Sequence, residues 1–245
     1  MVDIHEIIQI ASQASKAILD IYNDDKFINN IDIKPDHSPV THADSAANHI
    51  IVSALQNLYP HIPIISEEQS HAPYEIRKHW HTFWLIDPLD GTKEYIKRNG
   101  QFTVNISLIE NGTPVIGVIH IPVLDTCYYA IGGQSYIIKN GTKTLIKVSN
   151  KSKSLTSIGS SSHASEVEHI FLSKFDINTH IHAGSSLKFC YVADGTADIY
   201  YREGPTMEWD TAAGHCIVQG AGGSVEGLTY NKPDLRNGSF CCYGF

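Results

Sequence analysis

Two carboxylates three residues apart flank a proline in Trp84-Leu85-Ile86-Asp87-Pro88-Leu89-Asp90-Gly91-Thr92, at the end of an apolar run. Proline fixes the local backbone, so Asp87 and Asp90 can converge and the Leu89 carbonyl is free to point inward. Gly91 permits a left-handed turn. A helix opening just after it would aim N–H groups, from Gly91 and Thr92 onward, at an anion. One short segment thus offers oxygen ligands to hard divalent cations and amides to a phosphate. Oxygen-only ligation of this kind suits Mg²⁺ rather than zinc. Read alone, the same residues also make an acidic turn with Asp90 as an N-cap.

Three further acidic positions bear on that choice. Glu67 and Glu68 are adjacent at the end of another apolar run, where they repel each other unless solvated or bound to a cation. Asp44 opens a helical pattern in Thr41-His42-Ala43-Asp44, and taken alone complements the helix dipole. Asp210 stands beside a large aromatic in Trp209-Asp210-Thr211-Ala212-Ala213-Gly214, a helix start lying against other structure; alone, it reads equally as a cap.

The elements that must position these groups are legible from hydrophobic period. Apolar residues at 4, 7, 8, 11, 14, 18 and 21 predict an amphipathic helix, and a second stripe over 43–58 is stopped by Pro60. The polar stretch 29–38, with two prolines, reads as an exposed excursion or hairpin. Short apolar runs at 62–65 and 83–86 read as buried strands delivering carboxylates at their ends. Strands are expected at 102–109 and 114–121 around Asn111-Gly112, then at 126–131, 136–139 and 144–148 around Gly132-Gly133 and Asn140-Gly141. Beyond residue 150 the order becomes strand 156–159, helix 166–175, extended 179–183, helix 186–194 stopped by Gly195, strand 197–201 and a long helix 209–220. A glycine-rich turn and two short strands close the pattern. Mixed helices and strands with hairpins predict a layered α/β or α+β fold. Two halves are expected within one compact unit: 1–135 carrying most of the acidic residues, and 136–245 supplying Asp210.

Composition bounds the rest. The 245 residues are 42% apolar and 18% charged, as for an ordinary globular protein. The net charge of −8 argues against polymeric nucleic acid, which needs a basic face, but not against a small phosphate ester held through metal ions. Five cysteines, odd in number and without C-x-x-C spacing, predict free thiols in a reducing compartment. The opening Met1-Val2-Asp3-Ile4-His5-Glu6 has no signal-peptide pattern, and no run has the ~18 apolar residues of a membrane span, so a cytoplasmic location is expected.

Taken in order, Thr41 to Asp44, the Glu67-Glu68 pair, Asp87 to Thr92 and Trp209 to Gly214 resemble the magnesium-dependent, lithium-sensitive phosphatase superfamily that includes the inositol monophosphatases, over essentially the whole chain. Residues 36–41, 91–100 and Gly184-Ser185-Ser186-Leu187-Lys188-Phe189-Cys190 make it most similar to the branch of bacterial 3′(2′),5′-bisphosphate nucleotidases of the CysQ type. Lys93 and Glu94 stand where inositol monophosphatases usually carry a second threonine and an asparagine, and Tyr95 replaces the commoner phenylalanine.

The resemblance implies an α/β/α/β/α layered sandwich of the sugar-phosphatase type. It also implies two Mg²⁺ ions: one on Glu67, Asp87 and the Leu89 carbonyl, another on Asp87, Asp90 and Asp210. A third, weaker ion would lie near Asp44, Glu67 or Glu68. Thr92, oriented by Asp44 or Glu68, would position or deprotonate the attacking water. The implied substrate is 3′-phosphoadenosine 5′-phosphate, cleaved to AMP and phosphate, with Gly91 and Thr92 at the phosphate. Gly184, Ser185, Ser186 and Lys188 would lie at the nucleoside and second phosphate, with Arg202 a further cation. Lithium inhibition and, as in some relatives, peripheral association with the inner membrane are further implications; oligomeric state is left open.

Other readings compete with this one. An inositol monophosphatase or fructose-1,6-bisphosphatase-like sugar phosphatase would use the same acidic core, and a nucleotide sensor would bind without turnover. His79-x-His81 and His180-x-His182 lack a third ligand for zinc. The glycines at 220–223 lack dinucleotide-binding spacing. Lys93, Lys97 and Arg98 either steer phosphates or form an exposed helix face.

Overall fold

The computed structural model describes residues 2–24, 31–33, 39–160 and 165–245. The amphipathic N-terminal stripe folds as α1 (Ile4–Tyr22), capped by the Asp3 carboxylate accepting from the His5 N–H. Strands β1 (Ile31–Ile33) and β2 (Pro39–Thr41) pair antiparallel, as a hairpin requires. The intervening 34–38, with Asp36, His37 and Ser38 of the expected excursion, lie outside the described residues, as do 25–30. Helix α2 (His42–Leu58) follows directly. Its cap is Thr41, whose side chain accepts from the Ala43 N–H while Asp44 reaches back to Thr41, a reciprocal box.

The first sheet runs through β3 (Ile64–Ser66), β4 (Thr82–Asp90), β5 (Thr103–Glu110), β6 (Thr113–Ile121), β7 (Thr126–Ile131), β8 (Gln134–Lys139) and β9 (Thr142–Leu145), in that spatial order. Short helices α3 (Tyr74–Arg77) and α4 (Thr92–Ile96) flank β4. β3 and β4 are parallel; every later pair is antiparallel. Asn111-Gly112, Gly132-Gly133 and Asn140-Gly141 all have positive φ at both positions, the primed turns whose twist matches the strands they join. The sheet continues past residue 135, which lies inside β8, as far as Leu145.

The remaining chain gives β10 (Leu155–Gly159), α5 (Glu166–Leu172), β11 (Ile177–His182), α6 (Leu187–Ala193), β12 (Ile199–Arg202), β13 (Thr206–Met207), α7 (Glu208–Gly220), β14 (Ser224–Glu226), β15 (Arg236–Asn237) and β16 (Phe240–Tyr243). The second sheet is ordered β11-β10-β12-β16-β14, and β13 pairs with β15 as a separate ribbon. The pieces that hydrophobic period had not marked are α3, β13 and β15, each too short to carry a period. Helix α5 stops at Leu172 rather than 175, where the Ser173 N–H closes the last turn on the His169 carbonyl.

Helices α1 and α2 cover one face of the first sheet, α7 and α6 lie between the two sheets, and α5 covers the outside of the second. The order of layers is therefore α/β/α/β/α. Alternation along the strands divides the interior. Trp84, Ile86, Val104 and Ile106 meet Ile7, Ile18, Ile51 and Leu55 on the α1/α2 side. Ile119 and Ala130 meet Phe189, Ala213 and Ile217 on the α7 side. Gly117 is required there: a Cβ would stand 2.5 Å from the Ala213 carbonyl oxygen, so α7 lies directly on β6. All five cysteines are buried free thiols, and burial pushes Cys216 up to about 12, leaving it inert.

Candidate active site

Strand β4 does not end at Asp87 but continues to Asp90 through a register shift. Asp87 faces Asn105 and Asp90 faces Thr103, so Pro88 and Leu89 form a bulge opposite Val104. Proline suits the bulge because it has no N–H to leave unpaired. The Leu89 N–H donates to Asp87 Oδ1 at 3.0 Å, holding that carboxylate against its own turn. Gly91 has φ +91°, and an added Cβ would stand 3.1 Å from both the Gln101 oxygen and the Ser185 Cβ. Gly91, not Asp90, is the N-cap of α4, which is only five residues long.

Two further elements bring their acids to this bulge. The Glu67 N–H donates to the Ile86 carbonyl at 3.1 Å and sets Glu67 beside the end of β4. Asp210 lies in the first turn of α7, its Oδ2 accepting from the Met207 N–H at 2.9 Å, so it caps the helix and faces the site at once. Carboxylate oxygens of Glu67, Asp87 and Asp210 lie within 4.8 Å of one another. Burial, then the charges of Glu67, Asp90 and Asp210, pushes Asp87 well above the ordinary carboxylate range. Asp210 is raised for the same reasons, by burial and then by Asp90 and Glu67. Like charges held together out of water by the fold are a donor set for a divalent cation, and the all-oxygen chemistry fits Mg²⁺.

Asp90 is held from the other side, its Oδ2 accepting from the Ser185 hydroxyl at 2.7 Å and the Ser186 N–H at 2.6 Å. Asp44 is 2% exposed and accepts from both the Thr41 N–H and hydroxyl at 2.7 Å. Burial raises it to about 6 against the pull of Thr41, with Glu68 and Glu67 adding to the rise. Thr92 donates to the Leu89 carbonyl at 3.5 Å, a long contact. Glu68 sits in the turn after β3, outside the oxygen trio.

A cavity of about 200 Å³ opens beside these acids. Asp90, Gly91, Gly184, Ser185, Ser186, Lys188 and Asp210, all expected from sequence, line it together with Arg202. Lys188 is 3% exposed, and its Nζ donates to the Ser185 carbonyl at 2.8 Å and the Ala183 carbonyl at 3.3 Å. Burial lowers it to about 8 although Asp90 works the other way. Tyr200, Thr206, Thr211 and Phe240 also line the cavity and had escaped sequence reading, because aromatic and threonine positions in strands look like ordinary core. Of the basic cluster, Lys93 lines the cavity, whereas Lys97 is exposed and Arg98 lies 4.5 Å over the Tyr22 ring. His180 and His182 pack edge to face at 4.6 Å, and among the described residues only Glu67, Asp87 and Asp210 form a metal-competent group.

Fold and site together define a class: a five-layered α/β sandwich with an acidic cluster able to hold a cation where β3, β4 and α7 meet. The chain belongs to the inositol monophosphatase family, whose model matches residues 3–244, and it is a phosphatase of that family. Among curated proteins it is similar to 3′(2′),5′-bisphosphate nucleotidase CysQ of Buchnera aphidicola, at 48% identity over 91% of this chain and 84% of that one. It is also similar to the protein of the same name from Salmonella typhimurium, at 46% identity over 91% and 89%. Among solved structures, CysQ from Bacteroides thetaiotaomicron superposes with a TM-score of 0.86 at 38% identity, covering 98% of this chain and 96% of that one. No helix among the described residues is long and apolar enough to cross a membrane.

Proposed function

We propose that this phosphatase removes the 3′-phosphate of 3′-phosphoadenosine 5′-phosphate, using Mg²⁺. One observation carries the reading: a buried ammonium, Lys188, shares a cavity with Asp90 and Asp210 of the carboxylate cluster. A substrate with two phosphates needs both ends, a divalent-cation site for the scissile group and a separate cation for the other.

In this reading Glu67, Asp87 and the Leu89 carbonyl would hold one Mg²⁺, and Asp87, Asp90 and Asp210 would hold a second. Asp44, Glu67 or Glu68 would take a looser third. The chemistry such ions supply is neutralisation of the phosphate, activation of water and stabilisation of the leaving oxygen. The Gly91 and Thr92 amides receive a phosphate oxygen. Thr92 would position the attacking water, with Asp44 or Glu68 as its acidic partner; Asp44, raised to about 6 by burial, would be ionised and able to accept a proton near neutrality. Lys188 and Arg202 take the distal phosphate, and Gly184, Ser185 and Ser186 border the nucleoside. Release of phosphate from adenosine 3′,5′-bisphosphate, inositol monophosphate and fructose 1,6-bisphosphate, with and without Mg²⁺, tests the proposal. Mg²⁺-dependent turnover with the highest kcat/KM on the nucleotide is expected; equal or better turnover of the other two would overturn the substrate assignment.

A further inference from the structure

On β5 the side chains that share a face with Asp87 are Thr103, Asn105 and Ser107, because Asp87 and Asn105 are directly opposed and strand residues alternate. All three are polar and fully buried in a strand whose other buried residues are valine, isoleucine and leucine. Ser107 is satisfied locally, donating to the Ile116 carbonyl at 2.8 Å. Thr103 and Asn105 are turned towards the loop before α6 instead. The Thr103 hydroxyl meets the hydroxyls of Ser185 and Ser186, each at 2.7 Å, and the Ser186 hydroxyl donates to Asn105 Oδ1 at 2.8 Å.

Each hydroxyl has one proton to give, and the chain of contacts has a direction. Ser185 spends its proton on Asp90 and Ser186 on Asn105, so the Thr103 proton is shared between the two serine oxygens and Asn105 Oδ1, which it also reaches at 3.2 Å. Asn105 Nδ2 is buried with no hydrogen-bond partner. An orphaned amide donor costs stability, yet an apolar residue of similar shape would remove the Oδ1 that organises the serines. Ser185 itself is held at φ +56°, a conformation that a non-glycine residue keeps only when its surroundings enforce it. Its hydroxyl binds Asp90 and its carbonyl accepts from Lys188, so this one residue ties the acidic end of the site to the cationic end.

We infer that Thr103 and Asn105 are positioning residues: by pinning Ser185 and Ser186 they orient Asp90 towards its cation and set the spacing between the cation site and Lys188. That Asp90 faces a cation rests on the metal set proposed above, and that the spacing would fit two phosphates on one sugar rests on the bisphosphate reading.

Thr103→Val keeps the shape and removes the hydroxyl; Thr103→Ser restores it. Calorimetric titration of the substrate-free proteins with Mg²⁺ reads the first effect. The ratio of kcat/KM for adenosine 3′,5′-bisphosphate to that for adenosine 3′-monophosphate reads the second. Thr103→Val is expected to weaken Mg²⁺ binding about tenfold and to shrink the ratio, with Thr103→Ser close to the parent on both. Circular dichroism checks the fold; should Thr103→Val not fold, Ser185→Ala removes the donor to Asp90 that Thr103 contacts. A folded variant with parental Mg²⁺ affinity overturns the orientation of Asp90. Loss of Mg²⁺ affinity with an unchanged ratio overturns the spacing role. A parent enzyme with no preference for the bisphosphate counts against the substrate reading instead, while the titration still decides the orientation.

Discussion

At the scale of single residues, the site works through groups held in environments they would not choose alone. Asp87 and Asp210 are pushed up by burial and by each other's neighbours, which is what makes the pocket hungry for a cation. Asp90→Asn removes one of the negative charges and is expected to cut the phosphatase rate by about 10²- to 10³-fold while circular dichroism stays unchanged. Lys188 is the opposite case, an ammonium lowered to about 8 by burial. Below pH 8 it is charged and, as proposed above, would hold a phosphate; above, it loses its proton and that contact would weaken. For the bisphosphate, kcat/KM should therefore fall as pH rises through about 8, and the fall should be absent with Lys188→Ala. That variant should also lose about 10- to 100-fold in kcat/KM for the bisphosphate, the worth of a charged hydrogen bond, and much less for the monophosphate.

At the scale of elements, α7 carries Asp210 and rests on the first sheet only because Gly117 has no side chain. Gly117→Ala is expected to cost about 1–3 kcal/mol by overpacking, read as a lowered denaturation midpoint. The same helix holds His215, whose Nδ1 pairs with the Tyr230 hydroxyl at 2.9 Å and whose Nε2 is buried without a partner. Burial lowers His215 to about 4, so the folded protein keeps it neutral where the unfolded chain takes up a proton. Between the ordinary histidine value and pH 4 stability must then fall with acidification. The slope from this residue is about 1.4 kcal/mol per pH unit. Urea unfolding of the parent and of His215→Gln at pH 7 and pH 5 should show the parent losing stability relative to the variant.

At the scale of the whole molecule, three separated segments are folded so that their carboxylates meet within 4.8 Å. Binding a cation there stabilises the native state alone. Mg²⁺ at about 100 times its Kd should add about 2.7 kcal/mol, raising Tm, and a chelator should reverse the rise and abolish turnover together. A Tm indifferent to Mg²⁺ would contradict the cation-binding role of the cluster.

Much of this was written locally. The α1 stripe, the Asn-Gly and Gly-Gly turns and the bulge-forming Asp87-Pro88-Leu89-Asp90 are short-range instructions, because period, positive φ and the missing proline N–H act within a few residues. The order of the acidic segments was enough to place the chain in its family. Other features depend on what lies across the fold. Asp210 read equally as a cap and as a ligand, and it serves as the one while facing the place of the other. Thr103 and Asn105 gave no signal, since a buried hydroxyl or amide acquires its meaning only from a partner some eighty residues away in the chain, at Ser185 and Ser186. Tyr200 and Phe240 became cavity walls when β12 paired with β16. The sequence by itself determined which residues could bind cations and phosphate and which elements would carry them. Which of them meet, how far apart, and with what protonation was decided by tertiary packing, because distance and desolvation belong to the assembled layers and not to any one segment.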